Sequence, residues 1–296
     1  MLSVPQERPA PHAQALARIP VVARTAEVAG VDTRWWEYGP EDARGTILAV
    51  HGYRGDHHGI EPVIAYLPEY RTISPDLPGY GRSGPFAGRH TLAAYVDWLM
   101  AFSERIPGPF TILGHSFGSI VAAAALDAGL APERVVLMNP IAGPALRGPK
   151  ALGTLLAASW YRLAGVLPER AGRRALEARV MVDGMSALTT KTRDRELRQW
   201  IKEEHRRYFN GFTTTSSVIE GFDASVSDHV AAHAAAFTMP TLLIAARQDQ
   251  IASIKAVRRL QAQIPGSDLV EFDGVGHLIH YERSREAADA IRGFIG

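Results

Sequence analysis

The stretch Thr111–Gly118, TILGHSFG, constrains this chain more than any other. It starts as a short apolar run and passes through Gly114-His115-Ser116-Phe117-Gly118. It leaves into Ser119–Ala125, small and aliphatic residues suited to a helix. A strand, a very tight turn and a buried helix are implied, with one serine at the apex. The glycines stand two before and two after the serine, where a sharp strand-to-helix turn has no room for side chains. This is the pattern of a nucleophile elbow, which strains the backbone of a serine and holds its hydroxyl out into a cleft. The N–H of Phe117 then faces the space where an oxyanion would develop. A glycine turn with a bystander serine is the plainer alternative, and the segments on either side speak against it.

Around this stretch, strands and helices alternate. Val21–Val28 and Thr33–Tyr38, separated by Gly30, suit an antiparallel hairpin at a sheet edge. Thr46–Val50 is a continuous apolar run, as expected of a strand buried on both faces of a parallel sheet. Ile60–Leu67 can form a covering helix, Arg71–Leu77 the next strand, and Thr91–Ile106 a helix capped by Thr91. Arg134–Met138 is a further strand, ending at Asn139-Pro140. Late in the chain come a strand at Thr241–Ala246, a helix at Ser253–Ile264, a strand at Asp268–Phe272 and a closing helix at Glu286–Ile295. The predicted class is α/β, with a doubly wound, mostly parallel sheet.

The alternation breaks between Ile141 and about Phe237. There, Leu152–Leu163, Arg170–Val180, Thr192–Tyr208 and Val226–Ala236 read as helices and no strand is convincing. This predicts a core made of residues 1–140 and 238–296, and a helical insertion of lid size over 141–237. Met1–Pro20, with Pro5, Pro9, Pro11 and Pro20, reads as a loosely held lead-in and not as a signal peptide.

Composition narrows the function classes. The chain has 296 residues, 46% hydrophobic and 21% charged, enough for one large domain or a core with an insertion. Its net charge of +1 implies no nucleic-acid or membrane-surface role from bulk electrostatics. Apolar stretches are strand-sized or broken by Gly and Pro, so no membrane span is expected. With no cysteine, disulfides, thiolate metal sites and cysteine nucleophiles are excluded, and a cytoplasmic location is expected.

The predicted strands end in His51-Gly52-Tyr53, Asp76 with a glycine loop, Ser116, Asn139, Asp249 and His277. Functional groups of open α/β sheets sit at such strand ends. A serine, an acid and a histidine occur here in the order Ser, Asp, His.

In these features the chain resembles the α/β-hydrolase family with a helical cap. The matching motifs are His51-Gly52, Asp76-Leu77-Pro78-Gly79-Tyr80-Gly81-Arg82-Ser83, the Gly-His-Ser-Phe-Gly elbow, Asp249 and Gly276-His277. The resemblance spans about Val21 to Gly296. It implies Ser116 as nucleophile, His277 as base and Asp249 as the acid that orients it. It also implies an oxyanion hole made by the N–H groups of Phe117 and Tyr53. His280, three residues on, is expected to pack beside the loop, His115 to line or pack the site, and His51 and Asp76 to brace loops. Asn139 ends the strand after the elbow, where some relatives carry the acid.

A serine nucleophile with a histidine base performs acyl transfer, ended by water. The resemblance therefore implies hydrolysis of a small carboxylic ester, and argues against the alkyl-displacing relatives that attack with an aspartate. Carbon–carbon hydrolysis of a vinylogous diketone is an enzymatic alternative. A non-catalytic receptor for a hydrophobic ligand is another. Basic residues of the insertion, Arg170 to Arg207 among them, suggest that one arginine could hold a substrate carboxylate, as in a monoester of a dicarboxylic acid. No cofactor is expected. His57-His58 are adjacent and should point apart, and His229 and His233 lack a third ligand, so no metal site is expected either. Oligomeric state is left open.

Overall fold

The computed structural model describes residues 10–144 and 151–296, with side chains from 155 onward in the second stretch. Residues 1–9 of the expected lead-in lie outside the described residues. Residues 10–20 are held. His12 packs edge-on against Trp200, with ring centroids 5.6 Å apart, and Ile19 is buried.

Eight strands form one sheet. They are β1 (Val21–Val28), β2 (Val31–Tyr38), β3 (Thr46–Val50), β4 (Arg71–Pro75), β5 (Phe110–His115), β6 (Arg134–Met138), β7 (Thr241–Ala246) and β8 (Asp268–Phe272). Their order is β1-β2-β4-β3-β5-β6-β7-β8. The β1–β2 and β2–β4 pairs are antiparallel and the rest are parallel. The predicted edge hairpin is present. Its turn places Ala29 and Gly30 at φ 47° and 76°, the twist that a two-residue hairpin needs.

The apolar strand runs are explained by burial on both faces. Leu48, Val50 and Ile112 point into one hydrophobic cluster, and Ile47, Ala49 and Leu113 into the other. Helices cover both sides. Leu92–Ser103 is capped by Thr91, whose hydroxyl accepts from Ala94 N at 3.2 Å, as the sequence suggested. The helix Phe117–Asp127 is buried from Phe117 through Leu126, which accounts for its small side chains. The expected Ile60–Leu67 helix shortens to Glu61–Ile64.

Between β6 and β7 the chain is helical, in the segments Ala151–Val166, Glu169–Leu176, Arg179–Thr189, Arg195–Tyr208 and Thr215–Ser227, followed by a 3-10 turn over Val230–Ala236. Two expectations need correction, and one helix is new. A single helix over Arg170–Val180 is instead broken at Ala178 (φ −57°, ψ 127°). The carbonyls freed there find distant donors: Leu176 O accepts from Arg54 and Glu177 O from Asn210. The expected Val226–Ala236 helix is interrupted where Asp228 and His229 are extended. The Thr215–Ser227 helix, hidden in a run of Thr and Ser, starts at a Thr214 cap that accepts from Ser217 N at 3.0 Å.

Candidate active site

The carboxyl ends of β3, β5, β6, β7 and β8 converge on Ser116. That residue adopts φ 53°, ψ −116°, a left-handed conformation that costs a non-glycine residue about 1–3 kcal/mol. Packing enforces it. A Cβ on Gly118 would lie 2.2 Å from Val50 O, and one on Gly114 would lie 2.7 Å from Gly118 O. Both glycines are therefore required for β3, β5 and the following helix to approach this closely.

Ser116 Oγ lies 2.8 Å from His277 Nε2, and His277 Nδ1 lies 2.8 Å from Asp249 Oδ2. The three residues singled out from the sequence are thus brought into one hydrogen-bonded line, although 161 positions separate the first two. Asp249 is buried. Burial would raise its pKa, but the charge and hydrogen bond of His277, with N–H donors from Ile251 (2.7 Å) and Ala252 (2.8 Å), outweigh that and hold it below the ordinary carboxylate value. The carboxylate remains charged, and the imidazole presents Nδ1–H to it and Nε2 to the serine.

The turn bearing Tyr53 abuts the serine, since a Cβ on Gly52 would lie 3.2 Å from Ser116 Cβ. Among the described residues no protein acceptor takes the N–H of Tyr53 or of Phe117. His51 braces this turn. Its Nε2 accepts from Leu77 N at 2.8 Å and its Nδ1–H donates to Gly52 O at 2.8 Å, which fixes one neutral tautomer. Asp76 is fully buried and accepts from His57 N, His57 Nδ1 and Arg82 N, holding loops as expected. His115 and His280 pack on each other, with ring centroids 4.1 Å apart, behind His277. Burial keeps both neutral, pushing His115 down to about 3.

Three participants were not singled out from the sequence. Asn139, at φ 48°, donates to Asp249 Oδ2 at 2.9 Å and so fixes the acid from the end of β6. Glu282 accepts from Gly276 N (2.9 Å), Lys191 N (3.0 Å) and Thr192 N, linking the loop of His277 to the helical insertion. Arg54, next to Tyr53, is 2% exposed. It donates to Phe209 O (3.1 Å), Leu176 O (3.1 Å) and Asn210 Oδ1 (2.8 Å), and its guanidinium lies 4.2 Å from the Phe209 ring centroid. Leu176 and Phe209 stand at the carboxyl ends of two helices, whose partial negative charge suits a cation. The insertion also covers Tyr53 with Tyr161 and Phe222, each about 6.0 Å away between ring centroids.

The rings of His57 and His58 do not point apart, as the sequence suggested. Their centroids lie 3.9 Å from each other. With Asp56 they form a group whose potential ligand atoms lie within 4.8 Å. Ring faces rather than lone pairs meet there, and each Nδ1 is already bonded to a carboxylate, of Asp76 or Glu61. His233 places its two nitrogens on Asp127 and Asp228.

A family model described as "Alpha/beta hydrolase family" matches residues 47–290. The chain belongs to the alpha/beta hydrolase family. Similar curated proteins include lipase LipV of Mycobacterium tuberculosis, 36% identical over 115 residues, and a pimeloyl-[acyl-carrier protein] methyl ester esterase of Shewanella woodyi, 33% identical over 79 residues. The aligned parts cover 37% and 27% of this chain, and 42% and 29% of those proteins, so the chain matches less than half the length of either relative. Among solved structures, the enol-lactonase of Burkholderia xenovorans superposes with a TM-score of 0.77 at 20% identity, covering 92% of this chain and 99% of that one. An esterase of Exiguobacterium antarcticum gives 0.76 at 15%, covering 93% and 99%. At such identities the agreement concerns the fold.

Proposed function

We propose that this hydrolase cleaves a small carboxylic ester through an acyl-enzyme on Ser116, with residues 141–237 acting as a cap over the site. The observation that carries the reading is the line Ser116 Oγ–His277 Nε2–Asp249, two contacts of 2.8 Å at a strained strand-to-helix turn. Relatives named as a lipase and a methyl ester esterase support ester chemistry.

His277 Nε2 takes the hydroxyl proton as Ser116 Oγ bonds to the ester carbonyl carbon. The carbonyl π electrons move to oxygen, and the N–H groups of Phe117 and Tyr53 meet the resulting oxyanion, each worth about 10²–10³ in rate. Collapse expels the alkoxide, which receives the proton from Nε2. Water then enters, loses a proton to Nε2 and releases the acid by the same steps in reverse. Throughout, Asp249 holds Nδ1–H and stabilises the imidazolium.

A monoester carrying a free carboxylate is the finer possibility raised by the basic insertion. Three arginines are already engaged: Arg206 with Asp183, Arg173 with Glu177, and Arg54 with the helix ends. Comparing kcat/KM for a short neutral ester and the monomethyl ester of a dicarboxylic acid tests this point: a higher value for the monoester supports a carboxylate-binding arginine, and a higher value for the neutral ester opposes it. The reading itself is tested with p-nitrophenyl acetate. Ser116→Ala should lose at least about 10⁴-fold in kcat while keeping its fold. Equal turnover in both proteins would remove Ser116 from the reaction.

A further inference from the structure

Surface helices of a folded domain usually turn their polar side to water. The Ala151–Val166 helix does the opposite. Its inward side carries Tyr161 and Ala164, 5% and 1% exposed. Its outward side carries Leu155, Leu156, Leu163 and Val166, which are 52%, 65%, 54% and 80% exposed. At 100° per residue these four fall within an arc of roughly 100°. The arc also holds the exposed Ser159, whose hydroxyl is turned back to donate to Leu155 O at 2.9 Å. Isolated surface leucines are ordinary, but a contiguous apolar face marks an interaction site. The concentration is regional too. Of the ten large hydrophobic residues exposed among the described residues, seven lie between Leu155 and Leu188.

Charge indicates the partner. Arg162 borders the apolar arc, and Arg170, Arg174 and Arg179 are exposed on the next two helices. No ion pair joins any of the four among the described residues. The acids of the same stretch are occupied: Glu169 by Thr215, Glu177 by Arg173, and Asp183 by Arg206 and Lys202. A whole-chain charge of +1 averages over this local excess.

We infer that the outer face of the Ala151–Val166 helix docks on an anionic lipid surface. The leucines and Val166 enter the boundary between headgroups and acyl chains, and the arginines meet anionic headgroups, a pairing of two weak signals that gives stable but reversible attachment. A two-fold contact with a second copy fits less well, because it would set the same unmatched arginines against each other. The attachment is peripheral. Among the described residues no helix is long and apolar enough to cross a membrane.

The test is co-sedimentation of the full chain with vesicles of phosphatidylglycerol and phosphatidylcholine, against vesicles of phosphatidylcholine alone. Binding to the anionic vesicles, weakened by salt, is expected. Leu156→Glu with Leu163→Glu should abolish it and leave the circular-dichroism melt unchanged. Arg162→Glu and Arg174→Glu should each lower partitioning at least about fivefold. Failure to bind, or equal binding to both vesicles that the variants leave untouched, would overturn the inference. So would a wild-type dimer in light scattering that the leucine variant converts to a monomer, because that assigns the face to a second copy.

Discussion

The two loops that flank Ser116 are anchored to the helical insertion by opposite charges. On one side Arg54 leaves the turn of Tyr53 and donates to carbonyls at the ends of two helices. On the other, Glu282 collects N–H groups from Gly276, Lys191 and Thr192. In the proposed reaction the first loop offers backbone donors to a developing anion, and the second carries the imidazole that moves the proton. The comparison teaches that the insertion is more than a cover. It holds both halves of the candidate machinery in register, with a cation where helices end and an anion where backbone N–H groups are free.

The largest effect should come from the second loop's chemistry. Asp249→Asn keeps the shape but removes the charge that orients His277, and should lower kcat by about 10³–10⁴ with little change in KM. Steady-state kinetics on a short ester measure it. A loss below tenfold would detach Asp249 from the base.

The two anchors come next and should separate. Arg54→Met leaves acceptors at two buried helix ends without a donor, at about 1–3 kcal/mol for each unsatisfied group, and lets the turn of Tyr53 drift. It should lower both melting temperature and kcat, and Arg54→Lys should restore part of each. Glu282→Gln retains one acceptor oxygen but turns an amide toward N–H donors. It should lower kcat about tenfold and speed amide exchange at Gly276, Lys191 and Thr192. If both variants lost stability alone, with kcat intact, the anchors would be scaffolding without influence on the site.

Neither anchor could be read in the sequence, because both are long-range. Arg54 meets residues 107 to 156 positions away, and Glu282 reaches back 90 and 91 positions. Nothing near Arg54 or Glu282 marks them apart from surface charges. Asn139 was visible only as a residue that is not an acid, yet its amide steadies Asp249. The sheet was legible for the opposite reason. Runs such as Thr241–Ala246 and Arg134–Met138 state burial locally, and the structure gives strands with those bounds. Ser116, Asp249 and His277 were legible because each sits just past a strand end, where a short loop leaves little choice of position. In the insertion, helix limits depended on partners elsewhere. Ala178 breaks a helical pattern where Arg54 and Asn210 supply donors, and Thr214 starts a helix inside a run of weak helix formers.

A smaller effect tests the floor beneath the first loop. Asp56 is buried beside Asp76, and burial first, then that neighbouring charge, raises its pKa to about 7. Its unfolded value is about 3.9. Between these values the folded state binds the extra proton, so this group's contribution to stability is present below about pH 4 and fades as pH rises through 7. Asp56→Asn keeps an acceptor for His58 N and should raise the melting temperature at pH 8 while changing it little at pH 4. A rise of equal size at both pH values would contradict the assignment. Smallest of all, Arg206→Ala removes a surface pair with Asp183, whose side chains are 36% and 28% exposed, and should cost less than about 1 kcal/mol.

The central claim is that Ser116 forms the covalent bond. Intact-protein mass spectrometry after treatment with a small fluorophosphonate reads this directly. The account predicts one adduct on the wild-type chain, mapped to Ser116, a much slower adduct in His277→Ala, and none in Ser116→Ala. An adduct that persists in Ser116→Ala, or a wild-type chain that never reacts, would contradict it.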